Sequence, residues 1–187
     1  MNNPHRRRFL GRSLGAAHLA VASVLLPTAG RALATTADAQ ARRLSLNHLH
    51  TLERTALVYA LGSAFVPTAL EHLNHFLRDH YSGEVGVIDP ELFHLLHRVR
   101  RELGSEGAFH VISGYRSPHT NETLRTTRGG GVARRSLHMD GKAIDVRLPG
   151  VSLADLRDAA IDLKVGGVGF YPRENFVHID TGRVRAW

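Results

Sequence analysis

Two short segments near the carboxy-terminal end each set ionisable side chains into an otherwise apolar strand, and this constrains the fold more than any other feature of the chain. Residues 142–148 alternate strictly, with Ile144, Val146 and Leu148 facing one way and Ala143, Asp145 and Arg147 the other. Residues 176–181 repeat the pattern: Val177 and Ile179 point into a core, while His178 and Asp180 share the opposite face. Alternation with a period of two marks a half-buried strand. A carboxylate or imidazole flanked by such neighbours needs a partner, because an unpaired charge taken out of water is costly. A divalent cation shared by the two strands would supply one.

The remaining pattern places these strands in a mixed fold. Leu44, Leu46 and His48 alternate with Ser45 and Asn47 as in a strand, and residues 54–59 form its hairpin partner across residues 50–53. Pro67 opens a helix with Leu70, Leu73 and Leu77 on one face. Asp89-Pro90-Glu91 is a stronger start, with an N-cap, a proline at the first helical position and an acid in the first turn. The apolar series Leu92, Leu95, Leu96, Val99 and Leu103 follows, and Gly104 ends it. Residues 109–113 read as a strand that enters a turn and a short helix. Residues 128–135, with Gly129-Gly130-Gly131, form a loop. Ser152 and Asp155 cap a helix running through Leu163, and residues 166–171 and 176–181 close as strands. The expectation is an α+β domain, helices packed on one face of a small, mostly antiparallel sheet.

Charge looks informative until it is located. The chain carries a formal +7, but Arg6, Arg7, Arg8, Arg12 and Arg31 fall in residues 1–34, which contain no acid. Without those five, 19 basic face 17 acidic residues, a net of +2, so a nucleic-acid partner is not expected. Residues 1–34 read instead as an export signal. Arg6-Arg7-Arg8-Phe9-Leu10 fits the twin-arginine pattern, and a modestly apolar stretch to Leu26 is too short to remain as a membrane span. Ala32-Leu33-Ala34 offers small residues for cleavage after Ala34. Residues 35–43 then read as a linker and 44–187 as one domain acting in the periplasm, with no stable membrane span after signal removal.

With no cysteine in 187 residues, a tightly held transition metal has only His, Asp and Glu to bind it. Most of the 13 histidines have ordinary explanations. His72 and His75, like His94 and His97, are three apart on solvated helix faces with no third ligand in register. His48 and His50 share a strand face but lie far in sequence from other ligands. His138, Asp145 and His178 differ. Two imidazoles and a carboxylate give zinc three protein ligands and leave a place for a water that the ion would acidify to a pKa of roughly 7. On spacing alone a second reading stays open, in which Asp145 pairs with an arginine and His178 is a satisfied core histidine.

Three motifs together carry a resemblance. Ser113-Gly114-Tyr115-Arg116-Ser117, His138 with Asp145 seven residues on, and Phe176-Val177-His178-Ile179-Asp180 resemble the D-alanyl-D-alanine zinc metallopeptidases. These share the zinc fold of lysostaphin-type enzymes and hedgehog domains, and the murein endopeptidase K branch is the nearest, from about Arg42 to Trp187. The resemblance implies one zinc on His138, Asp145 and His178. It implies that Arg116 binds a substrate carboxylate or the developing oxyanion, as a fixed guanidinium beside a reacting carbonyl can. Ser117, His119 and Asn121 on the same turn are expected to line the site. Many relatives set an acidic base three residues before the last zinc histidine, where this chain has Asn175. Asp180 is the candidate replacement, since i and i+2 on a strand face the same way. Glu174 is a second candidate base, and Asp180 alternatively orients His178.

The implied activity is zinc-dependent murein endopeptidase, hydrolysing D-alanyl–meso-diaminopimelate cross-links of peptidoglycan in the periplasm. Its rivals are a D,D-carboxypeptidase trimming terminal D-alanine and a wall-binding module that keeps metal without turnover. A narrow pocket would favour trimming and an open groove cross-links.

Overall fold

The computed structural model describes residues 40–127 and 131–187. The export signal over 1–34, most of the linker and the first three residues of the glycine loop lie outside the described residues. Eight strands make one sheet: β1 (Ala41–His48), β2 (Arg54–Leu61), β3 (Ala64–Phe65), β4 (Phe109–Ser113), β5 (Ala143–Arg147), β6 (Gly167–Tyr171), β7 (Phe176–Asp180) and β8 (Arg185–Ala186). Their order is β3-β2-β1-β4-β5-β7-β6-β8. Only β1–β4 and β6–β8 pair in parallel, so the sheet is mostly antiparallel. Among the described residues, the helices α1 (Pro67–Phe76), α2 (Pro90–Glu102), α3 (Pro118–Thr127) and α4 (Leu153–Asp162) complete an α+β fold.

The helix starts follow their capping chemistry. Asp89 accepts a hydrogen bond from the Glu91 amide at 3.1 Å, with Pro90 next to it, and α2 buries Leu92, Phe93, Leu95, Leu96 and Val99. Burial of each such side chain stabilises by about 1.5–3 kcal/mol. Ser152 Oγ accepts from the Asp155 amide at 3.0 Å and starts α4, which buries Leu156 and Ala160.

These helices share one core with one face of the sheet. Leu44, Leu46, Phe109, Val111, Ile144, Val146, Val168, Val177 and Ile179 meet Leu73, Phe76, Leu92, Leu96 and Leu156. α3 is the exception to the expectation that the helices share a face. Its buried residues Thr120, Asn121 and Leu124 lie outside that core, and Leu124 lines the cavity on the opposite face of the sheet.

Three further details differ from the sequence reading. β1 begins at Ala41, inside the stretch read as linker, because Ala41 and Arg42 pair with Leu61 and Ala60. The two-residue strands β3 and β8 were not expected; they are too short to show a periodicity and exist by pairing alone. His48, His50 and their turn are not remote from the other ligands. Parallel pairing of β1 with β4 sets His48 opposite Val111, so the hairpin end lies beside the strand that leads into Gly114.

Candidate metal centre

The register of the two strands builds the centre. β5 and β7 pair antiparallel with Asp145 directly opposite His178, so the side chains rise side by side on the face away from the core. A bulge in β4 follows Val111, so Ser113 rather than Ile112 comes opposite Asp145. Bulges recur where a strand must re-aim the chain next to a site. Here it delivers the Gly114 carbonyl to His138 Nδ1 at 2.7 Å. Gly114 has to be glycine: a Cβ would stand 2.6 Å from the Leu77 carbonyl oxygen.

His138 sits in a tight turn closed by Lys142 N–H to the Leu137 carbonyl at 2.9 Å. Gly141 makes that turn, with φ +66 and no room for a side chain against Val87. The His138 carbonyl accepts from the Arg116 amide at 3.2 Å, tying the two loops together.

Three ligand atoms converge. His138 Nε2 lies 3.2 Å from Asp145 Oδ1 and 3.2 Å from His178 Nδ1, and His178 Nδ1 lies 2.8 Å from Asp145 Oδ1. The outer contacts of the two rings decide what these atoms carry. His138 Nδ1 donates to Gly114, and His178 Nε2 donates to Asp180 Oδ2 at 3.1 Å. Each neutral ring then presents a lone pair inward, and the carboxylate adds another. Three acceptors facing one another at such distances need a shared cation. Without a metal, a proton on His178 partly fills that role. Burial works against the charged ring, but the hydrogen bonds to Asp145 and Asp180 outweigh it and raise His178 to about 9. Burial likewise opposes the Asp145 charge, and the two imidazoles overcome it, holding the carboxyl well below its ordinary value. Among the described residues, only His138, Asp145 and His178 bring three metal-ligating atoms together. The donor set of two imidazoles and a carboxylate fits a divalent transition metal.

Arg116 flanks the centre. Its Nη2 lies 3.9 Å from Asp145 Oδ2, the oxygen that does not face the imidazoles. Asn121 accepts from Arg116 Nη1 at 3.4 Å and donates to the Ala133 carbonyl at 3.1 Å. Asp180 lies behind His178 with no exposed surface. Its Oδ1 accepts from the Gly167 and Gly182 amides at 3.0 and 2.8 Å, and Arg185 clamps the carboxylate through both terminal nitrogens. Burial opposes its charge, yet His178, Arg185 and the two amides keep the Asp180 carboxyl well below its ordinary value.

The centre opens into a cavity of about 370 Å³. On the β6–β8 side its lining includes Tyr171, Glu174, Phe176 and Trp187. The Trp187 ring lies over Gly169, where a Cβ would stand 2.7 Å from it, and its centroid is 5.4 Å from that of His178. On the β1 side the lining includes His50, His80 and Tyr81. Arg116 and Glu174 therefore share the cavity with all three candidate ligands.

Ser117, His119 and Asn121 do not line it. Ser117 is wholly buried, its Oγ accepting from the Thr120 amide at 3.2 Å to start α3. His119 is exposed on α3, and Asn121 is buried behind Arg116. Polar residues beside the arginine were expected to face the site, but Ser117 caps α3 and Asn121 holds Arg116 and the Ala133 carbonyl. His72 is on a solvated helix face as expected, bonding Thr55 Oγ1 at 3.0 Å, whereas His94 and His97 are half-buried and bond the Tyr59 hydroxyl at 3.0 Å and the Arg43 carbonyl at 3.3 Å. Sequence reasoning set His50 aside and missed His80, Tyr171, Arg185 and Trp187, none of which stands in a motif with the candidate ligands.

Comparison with known proteins points the same way. A family model described as peptidoglycan L,D-endopeptidase MepK matches residues 36–187. Peptidoglycan L,D-endopeptidase MepK of Escherichia coli K12 is 43% identical over 183 residues, covering 98% of this chain and 97% of that protein. Probable peptidoglycan L,D-endopeptidase MepK of Haemophilus influenzae is 38% identical over 184 residues, covering 98% and 95%. No solved structure gives a significant match. The chain is thus a murein endopeptidase, a hydrolase of peptidoglycan, which places its work in the periplasm or outside the cell. Among the described residues no helix is long and apolar enough to cross a membrane. By the extent and level of these matches, the chain belongs to the peptidoglycan L,D-endopeptidase MepK family.

Proposed function

We propose that the enzyme is zinc-dependent, that His138, Asp145 and His178 hold the zinc, and that it cuts an L,D bond in peptidoglycan cross-links. The convergence of three inward lone pairs at the floor of the cavity carries the metal assignment. The bond assignment follows the relatives' names. The D-alanyl–meso-diaminopimelate link implied by the family resemblance joins two D-centres instead and is the second candidate. The cavity is lined on one side by His50, His80 and Tyr81 from the segments after β1 and α1, and on the other by residues of β6–β8. That shape suits a substrate with an arm on each side of the scissile bond better than a terminal D-alanine.

When bound, zinc supplies a Lewis acid that polarises the scissile carbonyl and acidifies a water. The chain's own residues do the rest. Arg116, held by Asn121, offers a guanidinium to the oxygen that gains charge. Asp180 acts as a positioning residue rather than the base. Its buried carboxylate is engaged by Arg185, two amides and His178, and it fixes the tautomer and tilt of the His178 ring. Glu174, exposed at the cavity rim, is the carboxylate left to move a proton from water to the departing amine. Asn175 does not substitute for it. That residue has φ +59 in the turn between β6 and β7, a backbone that asparagine tolerates.

Intact sacculi digested with the metal-loaded enzyme, with and without chelator, test this reading. Release of muropeptides from L,D cross-links only in the absence of chelator is expected. Release from D-alanyl links alone would overturn the bond assignment, and release that survives chelation would overturn the metal.

Asp180→Asn gives a sharper check on one role. Zinc affinity is expected to weaken by roughly ten- to a hundredfold, with activity recovered at excess zinc. Zinc titration of the variant, followed by activity at saturation, measures both. Activity that stays lost in the saturated variant would return Asp180 to the role of base.

Residues 1–34 are proposed to direct export by the twin-arginine route and to be removed after Ala34. Arg6→Lys with Arg7→Lys is expected to leave precursor in the cytoplasm. Amino-terminal sequencing of the exported wild type should begin at Thr35; an intact Met1 there would refute cleavage.

A further inference from the structure

The edge strand β8 pairs with β6 and not with the metal-bearing strands β5 and β7, yet side chains from its end of the chain reach both. Two glycines of β6 make this possible. Gly167 stands opposite Arg185, and a Cβ there would run into both Asp180 Oδ2 and Arg185 Nη1. Gly169 stands opposite His178, and a Cβ there would meet the Trp187 ring. Bare backbone at these positions lets Arg185 cross β6 to Asp180, and lets the Trp187 indole lie across it towards His178.

The indole is held on several sides, but much of it stays open. Its Nε1 donates to the Tyr171 hydroxyl at 2.8 Å, and the Arg185 guanidinium stands 4.7 Å from its ring. The Trp187 amide donates to the Val168 carbonyl, and its own carbonyl accepts from the Phe170 amide. Tyr171 in turn stacks on Phe176, with ring centroids 4.7 Å apart. None of these three aromatic residues belongs to the hydrophobic core. Trp187 remains 51% exposed and lines the cavity beside His178. A large ring that is fixed in place and half in water is ready to be covered, since little motion is left for a ligand to freeze.

We propose that Trp187, backed by Tyr171 and Phe176, is the surface on which an aliphatic stretch of one peptide arm of the substrate packs as it leaves the metal centre over β6. This rests on the reading of the chain as a peptidoglycan endopeptidase and adds a specificity-determining residue to it. An indole has a single N–H, and Tyr171 already takes it, so the ring offers the arm apolar and π surface and no hydrogen bond. The methylene chain of diaminopimelate has the matching chemistry. The wall is continuous with the centre: the Trp187 and His178 ring centroids are 5.4 Å apart. An arm on this side whose scissile carbonyl sits at the centre therefore meets the indole within about two residues. Covering the open part of the ring corresponds to roughly tenfold in binding.

Trp187 is the only tryptophan in the chain, so tryptophan emission reports on this wall alone. Zinc-loaded wild type is mixed rapidly with a soluble cross-linked muropeptide, and emission is followed before turnover. The expected result is a shift to shorter wavelength that saturates as muropeptide is increased; emission unchanged at saturation would overturn the wall. Trp187→Ala should raise KM by about tenfold, hold kcat within about twofold and keep the zinc content of wild type. Trp187→Phe should recover most of that loss, because the packing needs a ring and not its N–H. Unchanged KM in Trp187→Ala would overturn the proposal, and so would loss of zinc at unchanged KM, which would make the indole a cover for His178. If Trp187→Ala misfolds, wild-type emission and Trp187→Phe still decide. Wild type that shifts its emission but leaves the muropeptide intact would uphold the wall and overturn the endopeptidase reading beneath it.

Discussion

Replacing His178 with alanine is expected to remove metal and activity together while leaving the fold intact. The backbone of β7 stays paired on both sides, with β5 and with β6, and its core residues Val177 and Ile179 are untouched. What disappears is one of three converging donors. Altering an outer partner of a metal ligand costs roughly ten- to a hundredfold in affinity, and deleting the ligand itself should exceed that. Asp180 is also left without the imidazole it orients, but Arg185 and two amides still satisfy it. The loss should therefore be local. His72→Ala, whose ring bonds only Thr55 among the contacts shown, should match wild type in both metal content and turnover. Without metal, wild type should unfold at a higher temperature than His178→Ala at neutral pH, because the protonated ring held by Asp145 and Asp180 stabilises the fold until pH rises through about 9. Activity that survives in His178→Ala at wild-type metal levels would remove this residue from the centre.

The second large effect is expected at Arg116. Arg116→Ala should keep its metal, because the guanidinium meets Asp145 at Oδ2, 3.9 Å away, and not at the oxygen shared with the imidazoles. Its kcat should fall by roughly a hundredfold or more, the usual cost of deleting a donor aimed at developing charge. Such a factor corresponds to about 2.7 kcal/mol of transition-state stabilisation. Lysine at this position should recover little, since Asn121 holds a planar fork that an ammonium cannot reproduce. Steady-state kinetics on a soluble cross-linked muropeptide read this directly. A raised KM with kcat unchanged would instead assign Arg116 to a ground-state carboxylate.

Much of the centre was legible because it is built from strands. A period of two tells which face a residue takes, so Asp145, His178 and Asp180 could be placed together before their pairing was known. The β5–β7 register then turned that shared face into contact. The helices were equally readable, since Asp89 and Ser152 mark their starts through local hydrogen bonds. What could not be read depends on long-range pairing. The parallel β1–β4 contact that brings His50 to the cavity leaves no mark in either segment, and β8 is two residues held by β6 alone. The turn after Arg116 misled for another reason. Ser117 and Asn121 are polar because they cap a helix and hold an arginine, and sequence does not distinguish those tasks from contact with a substrate. Asp180 was ambiguous in sequence because three of its four partners, Gly167, Gly182 and Arg185, stand in no motif with it.

The most direct measurement is the metal content of purified wild type beside His138→Ala, Asp145→Ala and His178→Ala, by elemental analysis after equilibration with equal free zinc. One zinc per wild-type chain and essentially none in each variant is the predicted result; full occupancy in any one of the three would contradict the centre.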